Sequence, residues 1–272
     1  MQKYVDSNGN VITSGNLPVG SASAEIYASI QIIEDLLGIK AATHVVPGIG
    51  VATTDKVVDG VTYATYYTYY QQLLREAIES GAILALAGNT MGTSTSSMEK
   101  YVTKDTIKSL GVNGVARLFV TPNDNKDMWK QFIANAAAND GWATFCIHKI
   151  SEAATSGHYI LEKDAEELFA YAVSENIWIA NYTEAFLYYT QWASAEVSAV
   201  YDNGSIWVTL TDDEDNTMYN EDLTVKVAVP ASWAAAEANG ETLEVYTDED
   251  GSFYVLVNIV PDSGTVCVSE RG

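Results

Sequence analysis

The hydrophobic pattern of this chain changes once, near Ala195, and that change constrains its fold more than any other feature. Before it, apolar residues recur at helical spacing in segments separated by short, wholly apolar runs. After it, apolar and polar residues alternate in short runs divided by turn sequences. The first pattern suits helices packed on a buried parallel sheet. The second suits sheets with one face in water.

In the first part, Ile26, Ile30, Ile33 and Leu37 share a helix face that Gly38 ends, and residues 42–46 read as a strand closed by Pro47-Gly48. A second helix is expected over 66–80, with Leu73, Leu74, Ala77 and Ile78 inward and Gly81 as its stop. Strands are expected at 83–87, 115–120, 142–147 and 177–180. Helices are expected at 126–139 (capped by Asn125), 164–176 and 183–193. Alternation of this kind predicts an α/β fold with a parallel sheet over residues 1–195. Beyond it, runs at 197–201, 205–210, 223–229, 242–246, 253–259 and 265–268 are separated by turns such as Asp202-Asn203-Gly204 and Asp248-Glu249-Asp250-Gly251. They predict a small, acidic all-β sandwich over residues 196–272.

Charge supports the same division and excludes some partners. The net charge is −22, and residues 196–272 hold 16 Asp and Glu against 2 Lys and Arg. Nucleic-acid binding rests on cationic side chains that neutralise phosphates, so no nucleic-acid partner is expected. No apolar run reaches the roughly 18 residues of a bilayer span, so no membrane insertion is expected. Residues 1–16 are polar and turn-rich without a secretory leader, which suits a cytoplasmic chain or a fragment that has lost one. Cys146 and Cys267 lie in separate apolar runs and read as buried free thiols.

Three histidines are candidates for chemistry. His148 follows the apolar run 142–147, and in barrel-type α/β folds the C-terminal ends of strands form the active face. An imidazole there can act as general acid; the plainer alternative is a hydrogen-bonded structural histidine. His158, in the connector Ser156-Gly157-His158-Tyr159, is a substrate-binding or merely exposed loop residue. His44 is a candidate ligand or a residue of the strand rim. Metal-ligand spacings such as His-x-x-x-His and Cys-x-x-Cys are absent, and so is an EF-hand loop. The acidic run Asp212-Asp213-Glu214-Asp215 reads as a solvated turn or a Ca²⁺-attracting patch.

The stretch Gly141-Trp142-Ala143-Thr144-Phe145-Cys146-Ile147-His148 resembles the last motif strand of the polysaccharide deacetylases, the NodB-homology family. The following Tyr159-Ile160-Leu161-Glu162, Asn176-Ile177-Trp178-Ile179-Ala180 and Thr183-Glu184-Ala185-Phe186 are similar to the same family. So is His44-Val45-Val46-Pro47-Gly48 upstream. The resemblance spans about residues 22–193. It implies a distorted (β/α) barrel, here incomplete, and metal-assisted hydrolysis of acetyl groups on a glycan. It implies zinc held by an Asp and two His, and it makes His148 the catalytic acid. The family's opening Thr-Phe-Asp-Asp-Gly strand has no counterpart, however. Gly20-Ser21-Ala22-Ser23-Ala24 stands where its His-x-x-x-His pair belongs. Zinc ligands are therefore not identifiable, His44 being the candidate that remains. Trp142, His158 and Tyr159 are the expected substrate-binding residues, and Tyr66, Tyr67, Tyr69 and Tyr70 could line a sugar groove.

The expectation is thus a deacetylase-like hydrolase with a glycan as substrate, truncated or inactive in its metal site. The alternative is a non-catalytic carbohydrate-binding or cell-surface protein on the same scaffold. The family implies an extracellular or cell-surface location, and no oligomeric state is implied.

Overall fold

A computed structural model describes residues 3–5, 11–13, 24–45, 56–58, 61–65, 74–107, 110, 114–155 and 159–272. The chain divides into two compact units. One comprises Met1–Thr103 with Ser109–Tyr182, the other Lys104–Lys108 with Thr183–Gly272. The elements in chain order begin with β1 (Lys3–Val5), β2 (Val11–Thr13), α1 (Ser29–Leu37), β3 (Thr43–Val45), β4 (Lys56–Val58), β5 (Val61–Thr65) and helical residues 74–79 (α2). They continue with β6 (Ala85–Met91), α3 (Lys104–Ile107), β7 (Val115–Phe119), α4 (Lys126–Ala137), β8 (Phe145–Cys146), β9 (Ile150–Ser151), β10 (Ile160–Leu161) and α5 (Glu162–Ser174). Helix α6 (Tyr182–Ser194) leads into the second unit.

The first unit is built on an open parallel sheet whose strands follow chain order, β3-β6-β7-β8. Leu118 on β7 and Phe145 on β8 face the same way, and Phe132 of α4 meets Phe145 edge-on at 5.5 Å. Trp129, Phe132 and Ile133 of α4 and Ala165, Leu168 and Ala172 of α5 complete this core with Leu118 and Ile160. The spacings are those of helices with one apolar stripe. Asn125 caps α4 by accepting a hydrogen bond from the Asp127 amide at 3.1 Å. The Lys126–Asp164 ion pair, its carboxylate 2% exposed, and the Lys130–Glu167 pair at 2.6 Å tie α4 to α5. A second core gathers Ile26, Leu74, Ala77, Ile83 and Leu86.

The expected (β/α) barrel, even as an incomplete one, is corrected by this topology. Four parallel strands share the main sheet, and β9 and β10 form a separate parallel pair of two residues each. The N-terminal strands form a mixed sheet of order β2-β1-β5-β4, in which β1–β2 and β4–β5 are antiparallel. A barrel requires one sheet wide and sheared enough to close on itself. Here β8 pairs over two residues only, and among the described residues no strand closes the sheet on itself. The stretch 177–180, expected as a strand, is irregular, with Trp178 and Ile179 exposed. Pro47-Gly48, the Tyr66–Tyr70 cluster and Gly20–Ala24 motif positions up to residue 23 lie outside the described residues.

The second unit holds β11 (Glu196–Asp202), β12 (Ser205–Thr211), β13 (Leu223–Ala228), β14 (Ala235–Ala238), β15 (Glu241–Glu244), β16 (Tyr246–Thr247), β17 (Phe253–Ile259) and β18 (Thr265–Glu270). They form a five-stranded sheet, β11-β12-β18-β14-β15, and a three-stranded sheet, β13-β17-β16. Both contribute to one core. Ile206, Val208, Leu210, Val266 and Val268 come from the first sheet, and Leu223, Val227, Val255, Val257 and Ile259 from the second. Alternate residues of β12, β13, β14, β17 and β18 supply it, so the arrangement is sandwich-like. Asn203-Gly204 and Asn239-Gly240 turn the β11–β12 and β14–β15 hairpins, all four residues at positive φ (49°, 82°, 52° and 81°). Strand β11 is the sheet edge, and each of its seven residues is exposed.

Candidate site at the strand ends

The pleat of β8 sets the candidate site. Phe145 points into the helix-side core, so Thr144 and Cys146 point to the opposite face, as Arg117 and Phe119 do on neighbouring β7. His148 follows β8 and is exposed. Its Nδ1 lies 3.9 Å from the Cys146 sulfur, and its ring meets Phe119 edge-on with centroids 4.9 Å apart. The Arg117 Nη1 donates to the same sulfur at 3.7 Å. Guanidinium, thiol and imidazole thus form a chain that ends in solvent. Beyond β7, Asp124 closes the loop by accepting from the Thr121 amide at 2.7 Å and its hydroxyl at 3.1 Å. An exposed imidazole backed by a thiol and a cation can exchange protons with a bound molecule and donate a hydrogen bond to it.

Tyr159 is half-buried next to β10, and the following amide, of Ile160, donates to the Lys149 carbonyl at 2.9 Å. That sets the backbone of Tyr159 level with Lys149, the residue after His148. Trp142 does not join them. It lies before β8, where it exchanges backbone hydrogen bonds with Val102 at 2.8 and 3.0 Å. Its ring lies 5.2 Å from that of Tyr182, whose hydroxyl donates to the Leu86 carbonyl at 2.6 Å. Burial pushes the Tyr182 phenol up to about 12, against the pull of a backbone hydrogen bond from Val115 and the charge of Arg117. Trp142 and His148 therefore occupy opposite ends of β8. His44 sits on β3 level with Leu86, and burial holds its imidazole below the usual histidine range. His158 lies outside the described residues.

Zinc does not fit the described residues around His148. A guanidinium lies beside the nearest thiol, and among the described residues no three His, Cys, Asp or Glu side chains are grouped to hold a metal ion. The acidic run is knitted into the second unit instead. Asp212 accepts from the Glu214 amide at 2.9 Å and from Gln191 at 3.3 Å, and Glu214 accepts from Ser194 at 3.2 Å. Both cysteines are free, Cys146 buried and Cys267 half-buried. Among the described residues no helix is long and apolar enough to cross a membrane. Arg117 and Phe119 did not stand out in the sequence, and Cys146 read there as a buried free thiol. The one available signal was a lone arginine inside the apolar run 115–120.

An α/β unit with a strand-end histidine, joined to a sandwich-like acidic unit, is the class that fold and site define. No family model matches the chain, and no solved structure matches it. It is similar to a gellan lyase from a Bacillus species, with 27% identity over 190 residues. The match covers 66% of this chain and 7% of that protein, so the chain spans a small fraction of its relative's length. A stretch covering 66% of the chain includes its middle third, and with it β7, β8 and His148.

Proposed function

We propose that the chain is a glycan-binding module of a polysaccharide-degrading protein. The observation that carries this reading is the similarity to gellan lyase across the segment that holds Arg117, Cys146 and His148. The exposed His148 imidazole and the half-buried Tyr159 ring are polar and aromatic groups of the kinds that contact sugars. Export or display at the cell surface belongs to the same proposal, since extended polysaccharides are met outside the cell. Affinity electrophoresis of the full chain through gels containing gellan or other soluble polysaccharides tests it. Retardation by at least one glycan is expected; unchanged migration in all of them overturns the reading.

The position of His148 just beyond the C-terminal end of β8 favours a second, hydrolytic reading, the removal of acetyl groups that the family resemblance implies. Release of acetate from acetylated glycans, lost in His148→Ala, is its measurement. No acetate from the wild-type chain, with or without added zinc, removes this reading and leaves the binding one standing.

A further inference from the structure

The outer face of the five-stranded sheet has an ordered composition. Strand β12 sends Ile206, Val208 and Leu210 into the core, so Ser205, Trp207 and Thr209 point away from it. Trp207 is paired with Val200 on β11 and Cys267 on β18. Thr209 is paired with Ser198 and Thr265, and Ser205 with Asp202 and Ser269. Paired residues share a face, so the surface has three rows. An apolar row, Val200–Trp207–Cys267, runs between two rows of hydroxyl and carboxylate side chains.

Trp207 is 44% exposed and Val200 61%. An exposed indole in the middle of an apolar row flanked by polar rows is not needed by the core, which is filled from the other side. Same-face residues along a strand are about 7 Å apart. A hexose stacked on the indole by its C–H face therefore brings its edge hydroxyls to the flanking rows. Those rows can answer. Thr209 and Thr265 share one hydrogen bond at 2.8 Å, which uses one of their two protons and leaves the other to donate outward. Ser269 turns towards Glu237 at 3.4 Å.

Charge selects the kind of glycan. The three rows carry Asp202 and no Lys or Arg, and residues 196–272 hold 16 acidic against 2 basic side chains. A polyuronate or sulfated chain meets repulsion there, whereas an uncharged one does not. We propose that the outer face of β11, β12 and β18 is a platform for a neutral glycan chain, with Trp207 as the stacking residue. This rests on the glycan-binding reading above and gives it a surface and a charge class.

The test is affinity electrophoresis of the full chain against glucomannan, xyloglucan, hydroxyethyl cellulose and dextran, with polygalacturonate as the acidic probe. Retardation by at least one neutral polymer and not by polygalacturonate is expected. Trp207→Ala weakens that binding at least about ten-fold. Trp207→Phe, which keeps a ring, retains most of it, and Trp178→Ala, at an exposed tryptophan of the other unit, leaves it unchanged. Wild-type affinity in Trp207→Ala overturns the platform but not glycan binding itself. Retardation by acidic polymers alone does the same. Failure to bind any glycan removes both. A dimer that Trp207→Ala dissociates assigns the face to a second copy and also overturns the proposal.

Discussion

Gly141 shows how one residue can hold a unit's packing together. A Cβ there would lie 2.8 Å from the Tyr101 ring, 3.0 Å from the Val102 carbonyl oxygen and 3.1 Å from that of Ala136. Two of those neighbours are backbone and cannot swing aside. Gly141→Ala is expected to destabilise the chain by roughly 1–3 kcal/mol, the usual penalty of overpacking. Gly92→Ala, where nothing lies within 4 Å of the added carbon, serves as the comparison. Equal urea midpoints for the two variants would contradict the close packing. His148 could be singled out in the sequence because it follows an apolar run. Phe119, which its ring meets, and Arg117, which donates to the neighbouring Cys146, could not, since both lie across a strand pairing that no local pattern encodes. Trp142 stands apart from His148 for a related reason. Five residues, β8 among them, separate the two, so closeness in sequence became opposite ends of a strand.

Among the elements, α4 and α5 were legible because each carries an apolar stripe at helical spacing, and α5 began two residues before its expected start. Residues 177–180 read as a strand from composition alone, but among the described residues they belong to no sheet. Strand β14 (Ala235–Ala238) passed unnoticed because alanine-rich sequence carries little strand preference. The Asn239-Gly240 pair behind it was the available signal. That turn places Gly240 at a φ of 81°. Gly240→Ala is expected to lose about 1 kcal/mol, as L side chains do in the left-handed region. A melting temperature equal to wild type would mean that the hairpin relaxes into another turn.

For the whole molecule, the pattern changes near Ala195, where β11 begins, whereas the compact units divide between Tyr182 and Thr183, so that α3 and most of α6 fall in the second; nor could the pattern tell an open sheet from a closed one. Closure depends on strand number and shear, which hydrophobic periodicity does not report. The acidic excess also has a thermodynamic consequence. Burial, then repulsion from Glu184 and Asp222, holds the Glu221 carboxyl above the usual carboxylate range. The folded state therefore binds this proton more tightly than the unfolded chain does. Ionised Glu221 opposes folding at neutral pH, and the penalty fades as pH falls through its folded value. Glu221→Gln is expected to melt higher than wild type at pH 7, with the gap closing near pH 4. A variant that melts lower at pH 7 would show that the charge is needed there.

The open edge of β11 carries a further consequence, one of colloidal behaviour. Its outward amides and carbonyls form a seam onto which another extended chain can zip, and Val197, Val200 and Tyr201 make that seam greasy. Glu196 and Asp202 stand at its two ends. When two copies align antiparallel and in register, each glutamate meets the other's aspartate, so like charge guards both ends of the zipper. Replacing both with their amides, Glu196→Gln and Asp202→Asn, disarms the guard, and the same edge then becomes a starting point for clumping.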